Sequence, residues 1–165
     1  MPTEDGERIP HPGVNFPPPF YFVLGFLAGW LLHRGLPLTV PGANGIGGIV
    51  GMNAVGWLLI AVGVVLLVWA QLTFRRHRTT VIPRRPASAM VADGPYNFTR
   101  NPMYVSFTLI YVGAALVAHM LWPIILLPIV LVLLTMFVIK REERYLADAF
   151  GTEYARFREK VRRWL

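Results

Sequence analysis

The sequence contains no cysteine and few charged residues. Without cysteine, disulfides, thiol catalysis and cysteine-ligated metal sites are excluded. Charged side chains make up 15% of the 165 residues, against about a quarter in typical soluble domains. No charged residue occurs at 35–74 or at 101–139, and 55% of the chain is hydrophobic. Because apolar stretches of roughly 17–25 residues match the thickness of a bilayer core, these segments predict an integral membrane protein.

The N-terminus also lacks the basic start and small-residue cleavage site of a signal peptide. It reads MPTEDGERIPHPGVNFPPP, which is acidic and proline-rich, so we expect the first apolar segment to be retained. We predict four spans, at about 19–32, 48–74, 102–118 and 122–139. The short link AHMLWP makes the last two a helical hairpin. The expected fold class is therefore all-α: a polytopic membrane protein with about four transmembrane helices and a C-terminal cytoplasmic or interfacial helix.

The distribution of basic residues predicts the orientation. The segment 75–101 carries six arginines and the segment from Lys140 carries eight Lys and Arg, whereas Arg34 stands alone on the opposite side. The positive-inside rule then places both termini and the 75–101 loop in the cytoplasm, and the protein in the inner membrane if it is bacterial. Orientation also explains the net charge of +7 without a nucleic-acid partner.

The chain is predicted to form one membrane domain, 1–165. Its parts are an N-terminal arm at 1–15, the first two spans at 16–74, the cytoplasmic loop at 75–101, the hairpin at 102–139 and the tail helix at 140–165. In the tail, apolar residues recur every three or four positions, which indicates one face of a helix. Gly151 followed by Thr152 predicts the end of one helix and the cap of the next.

Two pairs of glycines have the spacing that lets helices approach closely in lipid: Gly25 with Gly29, and Gly47 with Gly51. The spacing alone is a weak signal, because glycine is common in membrane helices. Ordinary glycine is therefore the favoured interpretation of both pairs.

The polar segment GPYNFTRNPMY, residues 94–104, stands directly before the third span. Each residue has a structural explanation. Asn101 and Pro102 are favoured at a helix start, Tyr96 and Tyr104 at a membrane interface, and Arg100 as a cytoplasmic anchor. These explanations do not account for the concentration of polar residues here.

A second polar cluster, REER at 141–144, follows the fourth span. Because the last two spans form a hairpin, we expect Asn101 and Tyr104 to lie near Arg141, Glu142 and Glu143. Neighbouring residues on a helix point about 100° apart, so the two glutamates cannot face the same pocket. One is expected to face inward and the other to pair with a basic residue.

These groups suit a ligand with several polar parts. A helix N-terminus attracts a carboxylate, a glutamate accepts hydrogen bonds from an ammonium or a ribose hydroxyl, and tyrosine faces accommodate a sulfonium. S-Adenosylmethionine has all of these parts, but an amino acid or a lipid headgroup has several of them. The residues therefore predict a cytoplasm-facing polar pocket at the hairpin base and leave its ligand open.

The segment MVADGPYNFTRNPMY, followed after the hairpin by REERYLADAFGTEYARFREKVRRW, resembles the isoprenylcysteine carboxyl methyltransferase family and its relatives, the phospholipid N-methyltransferases. The resemblance covers residues 90–164 and rests on the ordered pattern G-P-Y, R-[HN]-P-x-Y, E-E-x-x-L, F-G-x-x-Y and V-x-R. Departures are Phe157, where many relatives have Tyr, and Arg162, where many have Pro. The chain has few spans before this pattern, so the resemblance does not extend to a substrate-binding half.

The resemblance implies a compact helical membrane enzyme that transfers a methyl group from S-adenosylmethionine to a lipophilic small molecule or lipid. Cofactor contacts are implied for Gly94, Pro95, Tyr96, Arg100, Asn101, Pro102, Tyr104, Glu142 and Glu143. Glu143 is expected to be the main acidic contact and, with Arg141, to be catalytic. Arg141 or Arg144 would orient an anionic acceptor. Prenylcysteine, a phospholipid amine, a small thiol and an isoprenoid-like acid all stay open as acceptors.

Two alternatives from other classes are a small membrane transporter subunit and a non-catalytic membrane scaffold. Ion-coupled transporters place ionisable residues inside spans, whereas the strongly polar residues of these spans are Asn53, Gln71 and His119. A scaffold would bind no cofactor. The four histidines are scattered without ligand-like spacing, so no metal site is expected.

Overall fold

The computed structural model describes residues 16–42, 45–76 and 91–164. Five α-helices follow one another in these ranges: α1 (Pro19–Gly35), α2 (Gly45–Arg76), α3 (Pro102–Val117), α4 (Leu121–Leu134) and α5 (Lys140–Lys160). A 3₁₀ turn at Gly94–Asn97 precedes α3, and a π-helical turn at Thr135–Ile139 joins α4 to α5. The predicted N-terminal arm and residues 77–90 of the predicted loop lie outside the described residues.

The all-α prediction is confirmed for the described ranges, where the sole β contact is an isolated bridge between Thr39 and Met120. Two helices are long and apolar enough to cross a membrane: Gly45–Arg76, and the continuous helix Leu121–Lys160 formed by α4, the π-turn and α5. The helix Pro102–Val117 is apolar but shorter. Each predicted span coincides with a helix, while the count of four membrane crossings stays a prediction.

Glycines allow the helices to pack in two close pairs, α2 on α3 and α1 on α4. A Cβ atom at Gly56 would lie 2.9 Å from the carbonyl oxygen of Gly113. A Cβ atom at Gly29 would lie 2.7 Å from the backbone nitrogen of Pro123. Both distances are too short for a real side chain, so the helix backbones touch at these points.

The interpretation of the glycine pairs is therefore wrong for one of them. At Gly25 and Gly29, added Cβ atoms would collide with Val130 and Pro123 of α4, so this pair is an α1–α4 packing surface. At Gly47 and Gly51, an added Cβ would meet nothing within 4 Å, and that pair is ordinary helical glycine. The two pairs have the same spacing in the sequence. They differ only in whether a neighbouring helix packs against the glycines.

An inner cluster of buried side chains lies between α1, α3, α4 and the π-turn: Phe22, Tyr104, Tyr111, Val130, Leu134, Val138 and Ile139. The chain turns between α3 and α4 at His119, which has a φ of 55°. Tyr111 donates a hydrogen bond of 2.9 Å to the carbonyl of Pro123 and thereby ties the two helices together. The cluster continues along the hairpin to Tyr104, two residues after the start of α3.

Helix α5 bends sharply at Gly151, where φ is 48° and ψ is −117°. A positive φ favours glycine because it has no Cβ atom, and the predicted helix break at this residue is confirmed. After α5 the chain becomes extended at Val161. Residues 161–164, the C-terminal arm, then fold back towards the start of α3, where the polar residues predicted from the sequence are found.

Candidate functional site at the base of the hairpin

A hydrogen bond joins the two polar clusters of the sequence. The hydroxyl of Tyr104 donates to the carboxylate of Glu142, with distances of 2.9 Å to Oε1 and 2.8 Å to Oε2. Tyr104 lies at the beginning of α3 and Glu142 at the beginning of α5, so the hairpin brings them together although 38 residues separate them. The predicted closeness of these residues is confirmed.

The neighbouring carboxylate, Glu143, has charged partners instead. Arg163 of the C-terminal arm donates to it through two nitrogens, at 2.9 Å to Oε1 and 2.7 Å to Oε2. Arg100 forms a second ion pair with it at 3.1 Å. Two parallel N–H···O bonds from one guanidinium are among the strongest hydrogen bonds that side chains make. Glu142 and Glu143 therefore point to different partners, as the geometry of a helix requires.

The C-terminal arm is bound to the loop before α3 by three further hydrogen bonds. The backbone N–H of Arg100 donates to the carbonyl of Arg162 at 2.9 Å. The carbonyl of Arg163 accepts from the side chains of Thr99, at 3.2 Å, and Asn101, at 2.9 Å. The last residues described in the chain thus cover the segment that the sequence marks as functional.

Asn101 stands at the N-cap position of α3, but its side chain does not cap the helix. Its amide nitrogen is directed to Arg163, whereas its own backbone N–H donates to Thr99 Oγ1 at 3.2 Å. Pro102 follows as a fully buried first helical residue. The Asn-Pro dipeptide therefore starts the helix through Pro102 and leaves the Asn101 side chain to hold the arm.

The 3₁₀ turn places Gly94, Pro95 and Tyr96 against the end of α2. Gly94 has a φ of +58°, and an added Cβ atom would lie 2.9 Å from Thr73 Oγ1. Glycine is required here because φ is positive and because a side chain would collide with Thr73. The ring of Tyr96 is buried and packs edge-to-face on Phe74, with the ring centroids 5.2 Å apart. Burial and the nearby charge of Glu142 raise the pKa of Tyr96 well above its ordinary value.

Glu142 is the carboxylate of the site whose pKa is raised towards neutral pH. It lies on α5, beyond the apolar part of the long helix, and burial raises its pKa to about 7. The hydrogen bond from Tyr104 acts in the opposite direction and the charge of Glu143 adds to the increase. A carboxylate of this kind either carries its charge at a cost or binds a proton near neutral pH.

Arg100 joins several parts of the site. Its side chain is 12% exposed, and its guanidinium contacts Glu143 and, at 3.5 Å, the hydroxyl of Tyr154. The Nε atom of Arg100 is buried without a hydrogen-bond partner among the described residues. Buried donors are rarely left unsatisfied in folded proteins, so the site contains a donor whose acceptor the described residues do not supply.

The structure brings most of the predicted residues together. Residues of the loop and the start of α3 lie with Glu142 and Glu143, whereas Arg141 and Arg144 are exposed on α5. Arg163, Thr99 and Tyr154 contact the site but were not predicted as site residues. Tyr154 and Arg163 are the last residues of the F-G-x-x-Y and V-x-R elements of the resemblance, which was the signal for them. Arg163 was given no role because it lies in a basic tail, where a run of like charges normally indicates a solvated or lipid-facing surface.

Comparison with known proteins gives a family and one similar relative. A family model described as phospholipid methyltransferase matches residues 52–153. An uncharacterized protein of Haemophilus influenzae is 51% identical over 37 residues, which are 22% of this chain and 59% of that protein. The match thus spans less than two-thirds of the relative. No solved structure matches the chain. The family match includes Tyr104 and Glu142 and ends before the C-terminal arm.

Proposed function

Because the chain belongs to the phospholipid methyltransferase family, we propose that it transfers a methyl group from S-adenosylmethionine to a lipophilic acceptor at the cytoplasmic face of a membrane. The observation that carries the proposal is the hydrogen bond between Tyr104 and Glu142, which unites two polar clusters where apolar segments end. A water-soluble donor and a membrane-dissolved acceptor meet only at such a boundary.

The residues at the site fit the polar parts of the donor. The unpartnered Nε of Arg100 suits its carboxylate, and the Glu142 carboxylate suits an ammonium or a ribose hydroxyl. The face of an aromatic ring such as Tyr96 suits a sulfonium. Gly94 lets the backbone of the 3₁₀ turn approach α2 closely, because a side chain there would collide with Thr73. We propose that Pro95 and Pro102, both fully buried, fix the two ends of this pocket.

The contacts of Asn101 and Glu143 suggest a supporting role. Both hold the C-terminal arm, Asn101 through the carbonyl of Arg163 and Glu143 through its guanidinium. We propose that the arm covers the pocket and excludes water from the reacting groups. Direct contact of Glu143 with the cofactor and catalytic roles for Glu143 and Arg141 stay predictions.

S-Adenosylmethionine, when bound, supplies a methyl group on a sulfonium and therefore a good leaving group. The residues of this chain bind and orient the reactants, and good alignment contributes on the order of 7–11 kcal/mol to catalysis. A carboxylate or thiolate acceptor needs no base. An amine acceptor has to lose a proton, and we propose that a glutamate or tyrosine of the site that does not hold the donor accepts it.

The charges at the ends of the helices support the proposed orientation. Arg75 and Arg76 end α2, and the basic residues of α5 and the arm lie on the same side as the start of α3. The positive-inside rule assigns this side to the cytoplasm, where the donor is made available.

Donor binding by the detergent-purified protein tests the proposal. Titration calorimetry with S-adenosylmethionine is expected to give saturable binding. Glu142→Gln removes a charged hydrogen-bond acceptor, and such a contact contributes roughly 1.5–3 kcal/mol. The affinity of this variant is therefore expected to fall about ten- to hundredfold.

Glu153→Gln is the matched control, because Glu153 is an exposed carboxylate on the same helix. Its affinity is expected to equal that of the unchanged protein. The proposal is overturned if the folded protein binds no donor, and the role of Glu142 is overturned if both variants bind equally well.

A further inference from the structure

Two arginines share one carboxylate at the site. Arg163 donates to both oxygens of Glu143, through Nε at 2.9 Å and through Nη2 at 2.7 Å. Arg100 reaches the same carboxylate through a single nitrogen, Nη1, at 3.1 Å. The side chain of Glu143 is 14% exposed, so the two cations rather than water compensate its charge. One guanidinium therefore binds the carboxylate with two parallel bonds and the other binds it with one.

The nitrogen that Arg100 uses determines where the rest of its guanidinium points. In Arg163, the edge that binds the carboxylate consists of Nε and Nη2. Arg100 contacts Glu143 and Tyr154 through Nη1, the terminal nitrogen on the side away from the Nε–H bond. Because the group is planar, the Nε–H of Arg100 is directed away from Glu143. Its Nε atom is buried and has no acceptor among the described residues.

Arg163 keeps Arg100 in this arrangement. Its two hydrogen bonds occupy both oxygens of Glu143, so only an end-on contact is left for Arg100. Without the guanidinium of Arg163, Glu143 would retain one ion-pair partner, Arg100. Two parallel N–H bonds are stronger than one, so the carboxylate would be expected to bind Arg100 through Nε as well. The donor that is unpaired in this structure would then be used inside the protein.

We propose that Arg163 is a positioning residue for the carboxylate of the methyl donor. By holding both oxygens of Glu143, it restricts Arg100 to one contact with that side chain. The Nε edge of Arg100 is thereby kept for the carboxylate of the ligand. Arg163 touches no ligand itself and acts through Glu143 and Arg100. This inference rests on the proposed function, and it gives the C-terminal arm a role in donor recognition in addition to covering the pocket.

The arm is also bound through its backbone, which makes the side chain of Arg163 testable. The carbonyl of Arg163 accepts from Thr99 and Asn101, and the carbonyl of Arg162 accepts from the backbone N–H of Arg100. Arg163→Gln keeps the groups that form these three hydrogen bonds and removes the guanidinium. Arg162→Gln is the matched control, because it removes one positive charge from an exposed side chain of the same arm.

Two ligands that differ by one carboxylate test the proposal in the detergent-purified, full-length protein. S-Adenosylmethionine and its decarboxylated derivative share the sulfonium, the amine and the adenosine, and titration calorimetry measures the Kd of each. Arg163→Gln is expected to weaken S-adenosylmethionine binding about ten- to hundredfold and to leave binding of the decarboxylated compound nearly unchanged. Arg162→Gln is expected to bind both ligands as the unchanged protein does. Equal weakening for both ligands, or no weakening for either, would overturn the proposal.

A second substitution tests whether Arg163 acts through Glu143. In Arg163→Gln, the carboxylate of Glu143 is expected to bind Arg100 through two nitrogens. In the double variant Arg163→Gln/Glu143→Gln, a neutral amide replaces that carboxylate and competes less well for Arg100. The double variant is therefore expected to bind S-adenosylmethionine roughly fivefold or more tightly than Arg163→Gln, which is a non-additive result. Binding that is equal to or weaker than that of the single variant would overturn the proposal.

A measurement without the donor separates this inference from the proposed function. Nitrogen-15 NMR of the arginine side chains reports the Nε–H of Arg100, which is assigned by its loss in Arg100→Lys. Arg163→Gln is expected to move this proton to lower field, because it becomes hydrogen-bonded to Glu143, and Arg162→Gln is expected to leave it in place. A protein that binds S-adenosylmethionine but shows no such shift overturns the role of Arg163. A protein that shows the shift but binds no donor retains the coupling of the two arginines and contradicts the methyltransferase proposal.

Discussion

At the scale of single residues, the adjacent carboxylates Glu142 and Glu143 have opposite environments. Glu143 is compensated by two guanidinium groups, from Arg163 and Arg100. Glu142 accepts from the hydroxyl of Tyr104, which is neutral, and burial raises the pKa of Glu142 to about 7. A cationic or hydroxyl-bearing ligand would therefore gain more from Glu142, because its negative charge is the less satisfied of the two.

The raised pKa of Glu142 predicts how stability depends on pH. An ordinary glutamate has a pKa of 4.5, so between about 4.5 and 7 the folded protein holds a proton that the unfolded chain has lost. Stability falls with rising pH wherever the folded state binds more protons. The contribution of Glu142 is complete below the lower value and is lost as the pH rises through about 7.

Thermal unfolding of Glu142→Gln in one detergent checks this sign. The variant has no titrating group at this position, so its Tm relative to the unchanged protein is expected to rise between pH 5 and pH 8. In Glu153→Gln, which alters an exposed carboxylate of the same helix, the corresponding difference is expected to be nearly independent of pH. A difference for Glu142→Gln that stays flat over this range would contradict the raised pKa.

At the scale of elements, α5 and the C-terminal arm depend on one glycine. The sequence predicted a break at Gly151, because glycine followed by threonine marks helix ends. It did not predict where the chain goes afterwards. The contacts of the arm with Thr99 and Asn101 span more than sixty residues of sequence, and no local pattern encodes pairing over that separation.

Replacing Gly151 by alanine is expected to loosen the arm. The φ of Gly151 is +48°, and its surroundings are open within 4 Å, so the cost of Gly151→Ala arises from the backbone alone. Strained backbone conformations cost about 1–3 kcal/mol each. The Tm is expected to fall, and the amide of Arg100, which donates to Arg162, is expected to exchange with solvent faster.

Gly51→Ala separates this effect from the loss of a glycine in general. Gly51 also has nothing within 4 Å of an added Cβ, but it lies in the interior of α2 with helical backbone. Alanine is favoured over glycine in a helix by roughly 1 kcal/mol, so this variant is expected to be unchanged or more stable. Equal destabilisation by the two substitutions would show that positive φ at Gly151 is not the cause.

The hairpin and the π-turn mark the limits of prediction for the site. Tyr104 and Glu142 were predictable as neighbours, because a hairpin brings its two open ends together. The π-turn was not, since the segment TMFVI has the same apolar composition as the helix before it. One extra residue in a turn changes which side chains share a face of the helix, and the apolar pattern does not mark where that residue lies.

At the scale of the whole molecule, apolar and basic residues are separated along the direction of the helices. The outer faces of α1 and α2 expose large apolar side chains such as Leu31 and Val65, as a lipid-facing surface requires. Most of the basic residues collect at the end that holds the candidate site, whereas residues 36–40 lie with Met120 at the other end, beside Arg34. This asymmetry is the basis of the predicted orientation.

Single-cysteine labelling checks the orientation without background, because the chain has no cysteine of its own. Ala155→Cys is exposed on α5, and Thr39→Cys is exposed near the opposite end. In bacterial spheroplasts, a membrane-impermeant maleimide is expected to label the cysteine at 39 at once and the cysteine at 155 only after permeabilisation. The reverse pattern would place the site outside the cytoplasm, away from the supply of S-adenosylmethionine, and would contradict both the positive-inside assignment and the proposed reaction at that face.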